Sequence, residues 1–204
     1  MTRSLPPLFE NLPAVFAAHY DRDAPWNLLG APLDEILAGL EVIGEGTRIH
    51  PNAVIEGPVY IGRNVDVRPG AYVRGGSWIG DDCIVGTNTE IKRGILLPGA
   101  KAPHLNYVGD SILGANVNLA AGTILSNFRH DAASIRIDGA DTQRNKLGAI
   151  LGDGVLTGCN SVLHPGCVVG KNTQIYPGVQ LRPGIYPAAS IVKLRQEFEI
   201  VQAR

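Results

Sequence analysis

The stretch Ile61-Gly62-Arg63-Asn64-Val65-Asp66-Val67-Arg68-Pro69-Gly70-Ala71-Tyr72-Val73-Arg74-Gly75-Gly76-Ser77-Trp78-Ile79 decides the fold. Every sixth residue in it is branched and apolar: Ile61, Val67, Val73, Ile79. The series extends back through Ile55, Ile49 and Ile43 and forward through Val85, Ile91 and Leu97. Four places further on in each six stands a mostly small residue: Thr47, Ala53, Val59, Val65, Ala71, Ser77, Cys83, Thr89, Ile95. A helix repeats every 3.6 residues or so and a plain strand every 2. Six is neither. It describes a unit of one short strand and one turn, with one bulky and one small side chain pointing inward, and such units stack into a parallel β-solenoid. Three units close a triangular coil, so each residue stacks on its counterpart three units on, at roughly 4.8 Å. The rhythm returns at Leu113, Leu119 and Leu125, and again at Leu151, Thr157, Leu163, Val169, Ile175 and Leu181.

The interruptions are as informative as the period. Coils are predicted over 42–101, 113–125 and 150–187, with inserted loops at 102–112 and 126–149. Insertions in repeat proteins lie on the surface and often carry function. The second loop is polar, with Arg129, His130, Asp131, Arg136, Asp141, Arg144 and Lys146. Residues 1–41 lack the rhythm. Leu8, Leu12, Val15 and Phe16 predict a helix over 8–19, Ala24 to Leu29 an apolar turn, and Pro32 starts a second helix with Asp34 and Glu35 in its first turn. This segment reads as a helical cap over the open first coil, where unpaired strand edges need cover. The tail, 188–204, reads as a strand at Ser190–Leu194 followed by a frayed end.

Bulk properties narrow the function. A net charge of −1 over 204 residues provides no basic field for nucleic acid. The 25 glycines and 14 prolines suit a turn every six residues and not a helical bundle. Cys83 and Cys167 fall on the small inward position and read as packing residues, and Cys159 as a turn residue. No disulfide framework, zinc site, signal peptide or membrane span is evident, so a soluble cytoplasmic protein is expected.

Ile61-Gly62-Arg63-Asn64-Val65 and Ile79-Gly80-Asp81-Asp82-Cys83 resemble the hexapeptide repeat of left-handed parallel β-helix proteins, over most of 42–187. The resemblance supplies the handedness, which the period does not. The expected fold is thus all-β, a left-handed parallel β-helix with a short N-terminal helical cap. Glu90-Ile91-Lys92, His104-Leu105-Asn106-Tyr107-Val108-Gly109-Asp110, Asn116 to Ile124 and Asn127 are similar to the acetyltransferase half of the bifunctional UDP-N-acetylglucosamine pyrophosphorylase/glucosamine-1-phosphate N-acetyltransferase. They resemble archaeal-type sugar-1-phosphate nucleotidyltransferases with the same C-terminal half still more closely. The glycine-rich nucleotidyltransferase motif is absent from this sequence, so pyrophosphorylase activity is not expected.

The resemblance implies acetyl transfer from acetyl-CoA to the amine of an aminosugar 1-phosphate, at a site between subunits of a homotrimer. A protonated amine cannot attack a thioester, and a histidine, with an ordinary pKa near neutrality, is suited to take its proton. His104 matches the family base. The substrate phosphate needs fixed cations. Lys92 matches by motif and spacing. Arg68 matches the family's Arg-Pro-Gly by residue type, and Arg74 matches by standing one full coil before Lys92, on the same face. Geometry favours Arg74. Tyr107, Asn118 and Asn127 are implied sugar contacts, and Lys146 resembles the lysine after the second insertion. Cys159 and Pro177 stand where the bacterial enzyme places a serine and an alanine beside CoA. Proline has no N–H to donate, so that contact differs here. Phe128 replaces a tyrosine. His130 and His164 have no family counterpart and read as surface residues. Two other functions fit the fold. A γ-class carbonic anhydrase needs a histidine triad that His19, His50, His104, His130 and His164 do not form. A non-catalytic assembly or sugar-nucleotide-binding subunit, beside a separate nucleotidyltransferase, is the alternative of a different class.

Overall fold

The computed structural model describes residues 5–40, 42–197 and 199–202. Strands of two to four residues stack in parallel on three faces. Face A holds eight, from Val42–Ile43 through Ser77–Ile79 and Ile95–Leu96 to Gly184–Tyr186. Face B runs from Arg48–Ile49 through Ile84–Thr87 to Lys101–His104, continues through an isolated bridge at Asn118, and ends at Ile191–Val192. Face C holds seven, among them Tyr72–Val73, Glu90–Lys92, Tyr107–Gly109 and Ile124–Leu125. Early partners stand three full units apart, as in Val42 with Tyr60, Arg48 with Asp66 and Val54 with Tyr72. Each corner needs a residue that tolerates left-handed backbone. Asn64, Asp82, Asn88, Asn116, Asn160 and Asn172 fill this role with φ between 52° and 59°.

Two apolar clusters hold the fold. The inner one is the predicted series: Ile61, Val67, Val73, Ile79, Val85, Ile91, Leu113, Leu125, Leu151, Leu163 and Val169, all buried. Cys83 and Cys167 lie in it, and burial pushes both thiols up to about 12. The outer cluster joins the N-terminal segment to face A: Phe16, Trp26, Leu28, Leu33, Ile36 and Leu37 against Trp78, Ile95, Ile112, Ile150 and Val168. Trp78 stacks on Tyr60 at 5.0 Å and takes Phe16 edge-on at 5.1 Å. Burying each such side chain contributes roughly 1.5–3 kcal/mol.

The structure departs from the sequence reading in five places. Residues 102–112 are not an inserted loop. They form the regular strands Lys101–His104 and Tyr107–Gly109, paired in parallel with Ile84–Thr87 and Glu90–Lys92 of the coil before. The rhythm slips because the corner between faces C and A is one residue short. Ile91 pairs with Val73, a full coil back, but Ile95 pairs with Trp78, one position less than a full coil back. The slip also changes the inward residues. Leu96 enters the inner core, while Leu97 and Ile95 face the N-terminal segment.

The helix expected over 8–19 is a single 3-10 turn, Ala14–Phe16, after Pro13. Proline has no N–H for a helix interior, so the turn begins only there. The second helix is Ala31–Ala38, with Pro32 in its first turn. The N-terminal segment lies along face A and not over the open end, where Ile43 is 62% exposed. The solenoid also extends past residue 187, since Ile191–Val192 pairs with Gln174–Ile175. The segment 126–149 is an insertion, containing a hairpin of Arg136–Ile137 with Ala140–Asp141. It sits at the same C-to-A corner.

Candidate functional site

On face C the inward Val73, Ile91 and Val108 alternate with outward Tyr72, Arg74, Glu90, Lys92 and Tyr107. The strand period of two thus turns the motif residues into one polar strip. Arg74 donates to Glu90 Oε1 at 3.1 Å and lies 5.8 Å from the Tyr72 ring centre. Glu90 pairs in register with Tyr107. The Tyr107 hydroxyl donates to Asn127 Oδ1 at 3.4 Å, and burial, with Glu90 and Asp110 nearby, raises its pKa. Asn127 in turn donates to Asp110 Oδ2, the oxygen that accepts from Lys92 Nζ at 2.7 Å. Gly109 makes room for this: a Cβ there would lie 2.7 Å from the Tyr107 ring and 2.8 Å from Asn127 Cγ.

Lys146 lies opposite Phe128 in an antiparallel bridge at the base of the insertion, and lines a cleft with Lys92 and Asp110. Arg74, Lys92, Tyr107, Asn127 and Lys146 are therefore brought together, on face C and its corner with face A.

His104 lies at the other edge of face C, where face B turns into it. Its imidazole is exposed. Its N–H donates to Asn106 Oδ1 at 3.1 Å, and the buried Asn106 carboxamide donates onward to Ala120 O at 2.8 Å. Its carbonyl accepts from Gly122 N, that of Ala121 from Asn160 N, and that of Cys159 from Gly178 N. This ladder puts His104, Cys159 and Pro177 in one column along the corner. Asn118 sits on face B by its bridges to Lys101 and Leu156. Arg68 bonds Asp66 at 2.9 Å at the end of its face B strand. Neither reaches the Lys92–Asp110 cluster within the chain.

Sequence reasoning omitted Glu90, Asp110, Asn106 and Arg144 from the site. Asp110 stands eighteen residues after Lys92, the spacing that favoured Arg74, although in the shortened coil the register partner of Lys92 is Gly109. Arg144 belongs to the insertion, where no period applies, and only the folded chain reveals its surroundings. Among the described residues, no group of three histidine, cysteine, aspartate or glutamate side chains could hold a metal ion. No helix there is long and apolar enough to cross a membrane.

A three-sided parallel coil with a polar, cation-edged strip on one face defines the class as a hexapeptide-repeat β-helix. The family description "Bacterial transferase hexapeptide (six repeats)" matches residues 42–75 and 148–183. The chain is similar to these hexapeptide-repeat proteins over those two stretches.

Among relatives, the Bifunctional protein GlmU of Methanococcus maripaludis is 39% identical over 198 residues, covering 86% of this chain and 48% of that protein. The Bifunctional sugar-1-phosphate nucleotidylyltransferase/acetyltransferase of Sulfurisphaera tokodaii is 39% identical over 98 residues, 46% of this chain and 24% of that one. The chain thus spans at most about half the length of these relatives. The solved acetyltransferase domain of PglB from Neisseria gonorrhoeae, in complex with acetyl coenzyme A, is 19% identical with a TM-score of 0.44, over 71% of this chain and 53% of that one.

Proposed function

We propose that the protein is an acetyltransferase that moves an acetyl group from acetyl-CoA to the amine of an aminosugar 1-phosphate. The observation that carries the reading is the layout of face C. An exposed histidine stands at one edge, in the column of Cys159 and Pro177, and a cationic, hydrogen-bonding cluster stands at the other. An acceptor lying across the strip would have its phosphate toward Lys92 and Lys146 and its amine toward His104. The His104 imidazole takes a proton from the amine as its nitrogen bonds to the thioester carbonyl carbon. The C–S bond then breaks, and the CoA sulfur leaves and is protonated. Tyr107 and Asn127 hold sugar hydroxyls. Assembly as a homotrimer would set a neighbouring coil beside face C and narrow the gap between the edges. The relatives whose names pair sugar-1-phosphate chemistry with acetyl transfer support this reading.

The test is release of free CoA thiol from acetyl-CoA in the presence of glucosamine 1-phosphate or galactosamine 1-phosphate. Turnover with one of them is expected. His104→Ala is expected to lower it about 10²–10⁴-fold while leaving sugar-phosphate binding intact. Binding without any thiol release would favour the non-catalytic sugar-nucleotide-binding subunit instead, and unchanged turnover in His104→Ala would remove His104 as the base.

A further inference from the structure

The first coil is the open end of the stack. Its strands Val42–Ile43, Arg48–Ile49 and Val54–Ile55 are each the terminal strand of their sheet. One side of each pairs with the second coil, and the other has no strand beside it among the described residues. Such an edge is a template for pairing with another chain. The inward residues here are incompletely covered. Ile43 is exposed and Ile49 and Ile55 are half-buried, whereas their partners in the second coil, Ile61, Val67 and Val73, are buried. Val42, Ile43, Ile55, Gly57 and Val59 line a hollow of about 400 Å³ at this end. The same end has charge in a fixed arrangement. The Arg48 side chain, on face B, is 81% exposed and reaches Asp66 only at 3.5 Å, a pair that contributes little. Glu56, which follows the face C strand, is exposed beside the Tyr72 hydroxyl and has no ion-pair partner among the described residues.

We propose that this end is an interface between two copies of the chain, joined first coil to first coil about a two-fold axis perpendicular to the stack. The axis passes through the middle of face A and the corner between faces B and C. It lays face A on face A of the other copy and face B on face C. All three contacts are then antiparallel strand pairs, and the free side of every edge strand gains a partner. Side-chain direction limits the register, because inward residues must meet inward residues. With Ile49 opposite Ile55, Arg48 stands opposite Glu56 and His50 opposite Val54. The two-fold repeats each pair, so opposite charges meet twice. Face B laid on face B would instead set Arg48 against Arg48. The two end hollows close over one apolar interior, continuous with the inner cluster on which Ile49, Ala53, Ile55 and Val59 already pack. The interface does not depend on the reaction proposed above. It doubles whatever unit the chain otherwise forms, and a homotrimer would become a hexamer.

Sedimentation equilibrium of the full chain at low salt tests this, with far-UV circular dichroism confirming that each variant is folded. Arg48→Glu sets two pairs of carboxylates face to face, and Glu56→Arg two pairs of cations. Each is expected to halve the mass of the particle, and the variant with both changes to regain the doubled mass. Rising salt is expected to favour the smaller particle. Hydrogen exchange locates the contact: the amides of Ile43, Ile49 and Ile55 are expected to be protected in the native chain and to exchange rapidly in Arg48→Glu. A native chain of the same mass as folded Arg48→Glu and Glu56→Arg overturns the interface. A folded double variant that stays at half mass overturns the Arg48–Glu56 pairing and the register with it. A doubled particle whose Ile43, Ile49 and Ile55 amides exchange rapidly places its contact elsewhere and overturns the proposal.

Discussion

The two edges of face C are built on different principles. The His104 edge is made by the repeat itself: each corner accepts a backbone hydrogen bond from the next coil, and the buried Asn106 fixes the turn beneath the histidine. The Lys92 edge is made by exceptions to the repeat. Two successive corners are each shortened by a single position, an insertion at 126–149 follows, and a segment from the N-terminus packs alongside. A periodic ladder fixes a side chain to within the accuracy of its neighbours. An irregular corner can change shape without disturbing the core. Under the proposed function, the regular edge would bear the acetyl-transfer chemistry and the irregular one the choice of acceptor.

The irregular edge is most sensitive at Asp110. Its side chain and that of Lys92 are only 11% and 13% exposed, so Asp110→Ala strands a mostly buried ammonium and deprives Asn127 of its acceptor. Loss of roughly 3–5 kcal/mol in denaturant unfolding is expected, since removing one member of such a pair leaves the other uncompensated. A loss below about 1 kcal/mol, the range of an exposed pair, would show that the corner relaxes freely and that the pair does not organise it.

Gly109→Ala sharpens the same edge. A methyl group 2.7 Å from the Tyr107 ring must move Tyr107 or Asn127, at a cost of about 1–3 kcal/mol typical of overpacking. The KM for the sugar phosphate should rise with it, and an unchanged KM would remove Tyr107 and Asn127 from the acceptor site. The smallest effect belongs to Asp34→Ala, which frees Arg93. Both side chains are about half exposed, so about 0.2–1 kcal/mol of stability is expected to be lost, and less of it in high salt. If Asp34→Ala cost as much as Asp110→Ala, the N-terminal helix would be a main support of the corner and not a light tether.

The repeat grouped Arg74 with Lys92, the resemblance added Tyr107 and Asn127, and the fold sets these four together because each coil stacks on the last and a strand sends alternate side chains outward. The sequence reading failed at 102–112 for an instructive reason. A corner shortened by a single position looks, in a periodic pattern, like the start of an insertion, since both break the phase. Pairing distinguishes them: Tyr107 still meets Glu90, its counterpart in the coil before, although the coil between them is one position short. The N-terminal segment was legible as apolar and helical in part, but its docking on face A was not. That depends on Trp78, Ile95 and Ile112 forming an outward apolar stripe, and a stripe on a solenoid face joins residues far apart in the chain.

The amino-acid order alone determined that this chain coils in three-sided rungs, because the spacing of its bulky and small apolar residues permits no other way to bury them. It also determined that Arg74 and Lys92 share a face, because they stand one full coil apart in the unbroken part of the repeat. Only the tertiary structure decided that Arg144 and Leu29, far apart in the chain, meet beside Lys92 and Asp110. That meeting depends on an insertion and a terminal segment packing against the same corner, and contacts of that kind follow from shape and burial, with no period in the sequence to announce them.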